Sequence, residues 1–230
     1  MTPYPIAEIF RSVQGEGAYA GQVMTFIRLA GCNVGKPFRT TPDMFQIEGA
    51  TDREPYQDVC TDALGNRFMC DTNYRVTAHL SLQDIMNLDL VLASEHILLT
   101  GGEPLIHHIA PLTQKLQACG HQVHLETSGT RDIPLDCHFD WISVSPKWNW
   151  RLLPLLRANE IKILVGAGFD EAKFLQAFSI VEDLFHKFWF FPVNHLHSLD
   201  KSNLAKCIDL VHRYPKAKLG TQLHKIWSVR

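Results

Sequence analysis

The chain has 230 residues and a formal net charge of −2 at pH 7, which excludes the strongly basic surface that binding to duplex nucleic acid requires. Apolar residues make up 46% and charged residues 20% of the chain, so a disordered or fibrous protein is also excluded. The first residues carry no cationic start, and no apolar run is long enough to span a membrane, which predicts a cytoplasmic protein with no membrane partner.

The first predicted elements are two strands, over residues 6–13 and 23–29, followed by a helix that begins at Ser81. Asp84 comes three positions after Ser81, which is the pattern of a capping box at a helix start. Residues 33–59 are different, because Gly, Pro, Thr, Asp and Arg are frequent there and no apolar period holds. This part of the chain is therefore predicted to be an insertion, and long insertions cost little closure entropy.

From residue 95 onward, short apolar runs alternate with helical patterns. The predicted strands cover residues 96–100, 122–126, 141–145, 161–165, 188–193 and 218–222, and the predicted helices cover residues 109–118, 171–184 and 202–213. Strands that alternate with helices pair in parallel through right-handed crossovers. The sequence therefore predicts one α/β domain over residues 1–230, a barrel or part of one, with its site at the carboxyl ends of the strands.

Six cysteines are present, and without a secretory signal they are expected to be reduced thiols. Cys32, Cys60 and Cys70 flank or lie close to the insertion. Three thiolates on a 4Fe–4S cluster leave one iron open for a substrate. The alternative is that Cys60 is an ordinary loop thiol and the third ligand comes from elsewhere. The other cysteines are expected to be small core residues: Cys119, Cys137 and Cys207.

The sequence Thr100-Gly101-Gly102-Glu103-Pro104 follows a predicted strand. Paired glycines let the backbone approach a ligand closely, and the Glu103 carboxylate can accept a hydrogen bond from an ammonium group. An ordinary strand-to-helix turn would explain the same residues, since glycine and proline are common in turns. The three cysteines favour the ligand-binding interpretation.

Together with the cysteines, a set of short motifs resembles the 7-carboxy-7-deazaguanine synthase family of the radical S-adenosylmethionine superfamily. The motifs are VQGEG at residues 13–17, FIRLAGCN at 26–33, CDT at 70–72, TGGEP at 100–104, ETSGT at 126–130 and SPK at 145–147. The cysteine spacing departs from the common C-x3-C-x2-C pattern, since 27 residues separate Cys32 from Cys60 and nine separate Cys60 from Cys70. Residues 33–69 are therefore interpreted as an expanded cluster-binding loop.

The resemblance implies a partial or modified (β/α) barrel of the radical S-adenosylmethionine type, with mostly parallel strands. It implies a lyase in which a radical contracts the ring of 6-carboxy-5,6,7,8-tetrahydropterin to give 7-carboxy-7-deazaguanine, with loss of ammonia. The product would feed the synthesis of 7-cyano-7-deazaguanine and queuosine. The implied cofactors are a 4Fe–4S cluster, S-adenosylmethionine and Mg²⁺. The implied electron donor is a flavodoxin or ferredoxin-like protein, and the implied assembly is a homodimer.

The resemblance also implies a role for each matched residue. Cys32, Cys60 and Cys70 would bind the cluster, and Thr72 would supply an oxygen ligand to Mg²⁺. The residues expected to contact S-adenosylmethionine are Met69, Cys70, Asp71, Gly102, Glu103, Glu126, Ser145, Pro146 and Lys147. The residues expected to contact the substrate are Val13, Gln14, Gly15, Glu16, Arg28, Thr100 and Arg230.

Physical chemistry supports two of the substrate contacts. Glu16 can accept paired N–H donors from a pterin edge, and Arg28 can bind a carboxylate through two hydrogen bonds. One position departs from the family, because Phe191 stands where members commonly carry a glutamine in a Leu-Gln-Pro sequence. A polar contact to the cofactor is expected to be missing or replaced there.

Two other functions explain parts of the sequence. A radical S-adenosylmethionine enzyme with another substrate, for example one that activates a protein, would use the same cysteines. It would leave the Gln-Gly-Glu-Gly and Cys-Asp-Thr motifs without a purpose. A non-enzymatic module could hold structural zinc with three cysteines and a histidine, although the short C-x2-C spacing usual in such sites is absent from the sequence.

Overall fold

A nine-stranded main sheet forms the centre of the computed structural model, which describes residues 2–37, 58–195, 198–227 and 229. In order across the sheet the strands are β12 (Lys218–Leu219), β11 (Phe188–Pro192), β10 (Glu160–Val165), β9 (Trp141–Val144), β8 (Gln122–Thr127), β7 (His96–Gly101), β2 (Val23–Leu29), β1 (Tyr4–Val13) and β6 (Ala78–Leu80). β2 and β7 to β12 pair in parallel, whereas β1 is antiparallel to β2 and β6. The sheet is open at β12 and β6, which confirms the predicted α/β fold with a partial barrel.

The helices lie in the connections between these strands. Within the described residues the α-helices are α1 (Leu82–Met86), α2 (Asp89–Leu92), α3 (Ala110–Ala118), α4 (Leu152–Arg157), α5 (Glu171–Phe178), α6 (Lys201–Arg213) and α7 (Leu223–Trp227). α1 begins with the predicted capping box, since the N–H of Asp84 donates to Ser81 Oγ (3.1 Å) and the N–H of Ser81 donates to Asp84 Oδ2 (2.8 Å). None of the described helices has both the length and the apolar character needed to cross a bilayer.

Two predicted elements are shorter than expected. The helix predicted over residues 171–184 ends as an α-helix at Phe178 and continues as a 3₁₀ segment, Ser179–Lys187, in which Val181 has non-helical dihedral angles (φ −124°, ψ 27°). The strand predicted over residues 218–222 pairs with β11 only at Lys218 and Leu219. Beyond this pair the chain leaves the sheet and enters a cavity, where residues of other segments form hydrogen bonds with it.

Apolar side chains on one face of the main sheet pack against the helices. Phe174 and Phe178 from α5 meet Phe188 and Phe190 from β11, with ring centroids 5.6 to 6.2 Å apart in tilted or edge-to-face contacts. All four side chains are fully buried. Burial of each contributes about 1.5–3 kcal/mol, and the ring geometry adds to this. We call these four residues the phenylalanine cluster. It packs against one face of β11 and its neighbour β10 and holds these strands in place.

The two faces of each central strand carry different chemistry. In β10, Ile161 and Ile163 are buried on the side of the phenylalanine cluster, whereas Lys162 and Leu164 line a cavity on the other side. This alternation follows from the two-residue period of side chains along a strand. The inner face of the sheet is therefore free to carry functional groups while the outer face builds the core.

The cysteines outside the cavity differ in burial. All six cysteines of the chain are free thiols. Cys137 and Cys207 are fully buried, as predicted for small core residues. The same prediction is wrong for Cys119, which is exposed. The reason is its place at the carboxyl cap of α3, where the helix ends at the surface.

A second, smaller sheet lies within residues 33–69, the predicted cluster-binding loop. Its strands are β3 (Lys36–Pro37), β4 (Asp58–Thr61) and β5 (Arg67–Met69), all antiparallel. A tight turn joins β4 to β5, because the carboxylate of Asp62 accepts hydrogen bonds from the backbone N–H groups of Leu64 (2.8 Å) and Asn66 (2.9 Å). The interpretation of residues 33–69 as an expanded cluster-binding loop stays a prediction, and its residues 38–57 lie outside the described residues.

Candidate active site

One large cavity opens at the carboxyl ends of the parallel strands, on the face opposite the phenylalanine cluster. Its volume is about 840 Å³, within the range of ligand pockets. The predicted site residues that line it are Val13, Gln14, Gly15, Glu16, Arg28, Cys32, Cys60, Met69, Cys70, Asp71, Thr72, Thr100, Gly102, Glu126, Ser145 and Lys147. Glu103 and Pro146 are buried behind this lining, and Arg230 lies outside the described residues.

The three predicted cluster ligands reach this cavity from three segments. Cys32 follows β2, Cys60 lies in β4, and Cys70 comes directly after β5. The N–H of Cys70 donates to the carbonyl of Asp58 (2.7 Å), so the pairing of β4 with β5 continues up to Cys70. Cys32 is close enough to influence the titration of both other thiols. The small sheet therefore brings together cysteines that are far apart in the chain.

The thiols are suited to a cluster held away from bulk water. Burial raises the pKa of Cys60 to about 11, against the lowering effect of Lys147, and burial likewise raises the pKa of Cys70. Binding of iron would therefore release protons. Gly102 also fits such a group, because a side chain there would put its Cβ 2.5 Å from the Cβ of Cys32.

Three cysteine thiols line the cavity, and thiolates are the usual protein ligands of iron–sulfur clusters. Across residues 2–37, 58–195, 198–227 and 229, no three His, Cys, Asp or Glu side chains are grouped closely enough to hold one metal ion. A 4Fe–4S cluster binds each thiolate at a different iron atom, so its ligands need not touch each other. The donor set therefore fits the cluster implied by the sequence.

Glu103 does not face the cavity as the sequence analysis expected. Its carboxylate is fully buried and accepts hydrogen bonds from the hydroxyl of Thr127 (2.8 and 2.9 Å), from the N–H (2.8 Å) and hydroxyl of Ser128, and from the N–H of Leu105 (3.0 Å). These donors lie just beyond β7 and at the end of β8. The Glu103 carboxylate therefore holds the ends of two strands together, and its expected contact with an ammonium group stays a prediction.

Lys147 places a positive charge at the thiol end of the cavity. Its Nζ donates to the carbonyl oxygen (3.0 Å) and the hydroxyl (2.6 Å) of Ser145, and Pro146 is buried between the two residues. Its charge lowers the pKa of the buried Cys60 thiol. An anionic group bound beside the thiols would find a compact cation here.

The VQGEG turn after β1 is held by hydrogen bonds from within and from β10. The N–H of Glu16 donates to Gln14 Oε1 (3.1 Å), and the N–H of Ala18 donates to Glu160 Oε2 (2.8 Å). Gly17 has φ +69°, and a Cβ there would collide with the Glu160 carboxylate. Glycine is therefore required at this position for both conformation and space.

Arg28 faces the cavity from β2. Its Nε donates to Glu8 Oε1 at 2.7 Å, and Glu8 is its register partner on β1. Thr100 is its register partner on β7 and is buried against the same part of the cavity. The arginine that stood out in an apolar strand is thus a partly buried cation beside the cavity.

The chain after β12 closes one side of the cavity. Gln222 Nε2 donates to Glu16 Oε1 (3.0 Å) and Asp71 Oδ2 (3.2 Å), and Lys225 Nζ lies 3.2 Å from the same Asp71 oxygen. Burial alone would raise the pKa of Asp71, but Lys225 and His224 lower it to about 2. The segment therefore ties the VQGEG turn to the residue that follows Cys70.

Comparison with curated proteins identifies the family. The chain is 37% identical over 171 residues to the 7-carboxy-7-deazaguanine synthase of Synechocystis sp. (strain PCC 6803), which covers 73% of this chain and 67% of that protein. It is 34% identical over 175 residues to the 7-carboxy-7-deazaguanine synthase of Escherichia coli (strain K12), which covers 73% and 74%. The chain belongs to the 7-carboxy-7-deazaguanine synthase family.

Structural comparison agrees with this. The crystal structure of QueE from Escherichia coli superposes with a TM-score of 0.64 at 28% identity, over 95% of this chain and 93% of that chain. No family model matches the sequence. Membership in the 7-carboxy-7-deazaguanine synthase family makes the protein a radical S-adenosylmethionine enzyme of deazapurine biosynthesis that requires a 4Fe–4S cluster and S-adenosylmethionine.

This 7-carboxy-7-deazaguanine synthase family member has cavity residues that the sequence analysis missed. Lys162 is the most buried of the charged ones, with 3% of its surface exposed. Its Nζ lies 2.8 Å from Glu126 Oε1 and 3.0 Å from Glu16 Oε2. A signal was present, because Lys162 interrupts the apolar β10 sequence just as Arg28 interrupts β2. The signal for Gln222 was its place at the start of the QLHK sequence at residues 222–225, which resembles the closing Q-T-H-K segment of the family.

The departure at Phe191 is accommodated by the neighbouring residues. Phe191 is buried, its ring packs against Gly220, and Lys162 Nζ lies 5.7 Å from the ring centroid. Asn194 lines the cavity three residues later and donates to Gln222 Oε1 (3.0 Å). In this 7-carboxy-7-deazaguanine synthase family member the polar lining after β11 therefore comes from Asn194.

Proposed function

We propose that the protein converts 6-carboxy-5,6,7,8-tetrahydropterin to 7-carboxy-7-deazaguanine by a radical-mediated ring contraction with loss of ammonia. The observation that carries this proposal is that most of the residues expected to bind the cluster, the cofactor and the substrate line one cavity. That cavity lies at the carboxyl ends of parallel strands, where α/β enzymes hold their ligands. The product would enter the synthesis of 7-cyano-7-deazaguanine and queuosine.

The thiol end of the cavity would hold the cofactors. Cys32, Cys60 and Cys70 would bind the 4Fe–4S cluster and leave one iron open. When bound, the reduced cluster and S-adenosylmethionine supply the radical chemistry, and the protein supplies position, charge and exclusion of water. Gly102 leaves room beside Cys32, and Lys147 offers a cation to the carboxylate of the cofactor.

The substrate would lie against the charged residues of the inner face. Glu16 offers a carboxylate to the N–H donors of the pterin edge, and Arg28 offers a guanidinium to the carboxylate of the substrate. Thr72 and Asp71 offer hard oxygen ligands of the kind that Mg²⁺ prefers, and Thr72 Oγ1 lies 3.4 Å from Asp71 Oδ1. A magnesium ion there would orient the substrate.

The proposal is tested with anaerobically reconstituted protein, reductant, S-adenosylmethionine, Mg²⁺ and 6-carboxytetrahydropterin. We expect 7-carboxy-7-deazaguanine and ammonia, identified by mass spectrometry. A reaction without the pterin is the control for cofactor cleavage alone. Cleavage of the cofactor with no consumption of the pterin would contradict the proposal and favour a radical enzyme with another substrate.

The cluster assignment is tested by removing one thiol. Cys60→Ala should lower the iron and sulfide content after reconstitution and abolish product, because the cluster keeps only two of its protein ligands. Cys119→Ala is the matched control, since Cys119 is exposed and does not line the cavity. Equal iron content in the two variants would show that Cys60 is not a ligand, and zinc without iron in the native protein would favour the structural zinc module.

Three further expectations rest on the family resemblance. The electron donor is expected to be a flavodoxin or ferredoxin-like protein, and the enzyme is expected to be a homodimer. The chain is expected to act as one domain in the cytoplasm. Reduction by purified flavodoxin and light scattering of the reconstituted enzyme are the measurements that check the first two.

A further inference from the structure

Lys162 lies in a cluster of three carboxylates beneath the cavity. Its Nζ lies 2.8 Å from Glu126 Oε1, 3.0 Å from Glu16 Oε2 and 3.9 Å from Glu160 Oε1. The lysine side chain is only 4% exposed, so solvent cannot replace these partners. We call Lys162, Glu16, Glu126 and Glu160 the carboxylate cluster.

The carboxylates in this cluster have different tasks. Glu160 is almost fully buried and accepts a hydrogen bond from the N–H of Ala18, so it holds the VQGEG turn. Glu16 and Glu126 line the cavity itself. In the proposed function Glu16 contacts the substrate and Glu126 contacts the cofactor. The buried ammonium group of Lys162 therefore contacts both the carboxylate proposed to bind the substrate and the carboxylate proposed to bind the cofactor.

The charges make the lysine necessary for this arrangement. Burial works against the charged form of each group, yet the carboxylates raise the pKa of Lys162, and Lys162 together with His224 lowers the pKa of Glu16. Two carboxylates beside one cavity repel each other, and the ammonium group between them offsets that repulsion. Glu16 also accepts from Gln222 Nε2 (3.0 Å), but that donor is neutral.

We propose that Lys162 is a positioning residue that holds the carboxylates of Glu16 and Glu126 in place for their two ligands. This inference rests on the proposed function for the identity of the ligands. It predicts that loss of the ammonium group weakens binding of both the cofactor and the pterin. Loss of a residue that contacts only one of the two carboxylates would weaken binding of one ligand only. It also predicts a change in pH dependence, which loss of packing alone would not cause.

The test compares Lys162→Met, which keeps the length and removes the charge, with Lys162→Arg, which keeps the charge. Lys173→Met on α5 is the matched control, since Lys173 is exposed and far from the cavity lining. Equilibrium dialysis of cluster-loaded enzyme measures the affinity for S-adenosylmethionine and for 6-carboxytetrahydropterin separately. We expect both affinities to fall at least tenfold in Lys162→Met, with partial recovery in Lys162→Arg and unchanged iron content.

The pH arm separates charge from packing. The affinity for the pterin should fall more as the pH is lowered from 8 to 6 in Lys162→Met than in the wild type, because Lys162 lowers the pKa of Glu16 and its loss removes that effect. His224 faces Glu16 and His124 faces Glu126, so the profiles are repeated with His224→Gln in both backgrounds. His124 is left unchanged in every variant, so it cannot cause a difference between their profiles.

The outcomes are decisive in each case. Wild-type affinities and a wild-type pH profile in Lys162→Met would overturn the inference. If Lys162→Met does not fold, the pterin affinity of His224→Gln is measured instead. A loss of that affinity as the pH is lowered from 8 to 6 overturns the inference, because Lys162 alone then does not keep Glu16 charged, and an unchanged affinity supports it. If the wild-type enzyme does not convert the pterin, the proposed function fails, and the cofactor arm still tests the contact of Lys162 with Glu126.

Discussion

Charged side chains in this cavity are held by other protein groups, which limits how they can move. Arg28 is paired with Glu8, and Lys162 with Glu16 and Glu126. Groups that are fixed before the ligand arrives lose little entropy on binding. At the scale of single residues the site is therefore organised in advance.

Glu103 is the clearest case of a residue fixed by the protein. We expect Glu103→Gln to lower the free energy of unfolding by about 1–3 kcal/mol, since an amide cannot accept from all the donors around this buried position. Glu95→Gln is the control, because its side chain is 72% exposed, and it should change stability by about 0.5 kcal/mol or less. Urea unfolding at pH 7 measures both. Equal stabilities would contradict the structural role.

The family resemblance predicted many of the residues that line the cavity but not their partners. Arg28 also stood out by residue type, as a charge inside an apolar strand. The partner of a charge is set by three-dimensional register, so the pairing of Lys162 with Glu16, 146 positions apart in the chain, could not be read from the sequence. The same limit applies to Glu103, whose partners Thr127 and Ser128 are 24 and 25 positions away in the chain.

Among the elements, the segment from Gln222 through α7 acts on two parts of the site at once. Gln222 links Glu16 to Asp71, and the N–H of Leu223 donates to the carbonyl of Gly15 (2.9 Å). A Cβ at Gly15 would collide with His224, so the packing here is close. The segment therefore links the VQGEG turn, on the proposed substrate side of the cavity, to Asp71, the residue after Cys70.

We expect Gln222→Ala to raise the KM for the pterin roughly tenfold or more, because hydrogen bonds to two charged groups are lost. Steady-state assays at saturating S-adenosylmethionine measure this. Gln176→Ala on α5 is a suitable control, since Gln176 is exposed on the outer surface. An unchanged KM in Gln222→Ala would show that the contacts with Glu16 and Asp71 do not support substrate binding.

Strands β7 and β8 carry a buried histidine pair. His96 Nδ1 and His124 Nε2 are 3.0 Å apart, and the ring of Tyr19 packs edge-on against His124. Burial and the neighbouring His96 lower the pKa of His124 to about 4. His124 is thus neutral in the folded protein at pH 5 to 7, whereas an unfolded histidine takes up a proton near pH 6.5.

This difference predicts the direction of acid sensitivity. The unfolded state binds more protons, so stability is complete above about pH 6.5 and is lost as the pH falls towards about 4. His124→Gln should make stability depend less on pH in this window, as measured by urea unfolding at pH 7 and pH 5. His212→Gln on α6, an exposed position, should keep the wild-type dependence. Parallel behaviour of the two variants would contradict the assignment.

Some elements were predictable and others were not, for reasons that can be named. Apolar runs such as β7 and β8 are long enough to show a buried strand, and Ser81 with Asp84 marks a helix start. β4 and β5 have only four and three residues, too few for a period, and their pairing depends on the turn at Asp62. α4 contains Pro154 close to its start, which obscures a helical pattern of six residues.

For the whole molecule, cofactor binding should be coupled to stability, because the cavity is built from segments that are distant in the chain. A ligand that binds only the folded state at one hundred times its Kd adds about 2.7 kcal/mol. We therefore expect S-adenosylmethionine to raise the Tm of cluster-loaded enzyme by roughly 5 °C or more. Lys147→Met should reduce the shift and the exposed Lys173→Met should not. No shift in the wild type would contradict cofactor binding in this cavity.

The alternation of side chains along β10 has a consequence for folding. A slip of one position against β9 and β11 would turn Glu160 and Lys162 into the phenylalanine cluster and turn Ile161 and Ile163 towards the carboxylates. A misaligned strand would thus bury unpaired charges among the phenylalanine rings and place apolar side chains next to the carboxylates. The charged residues proposed to act on the ligands therefore also disfavour a misaligned pairing of β10 in the sheet.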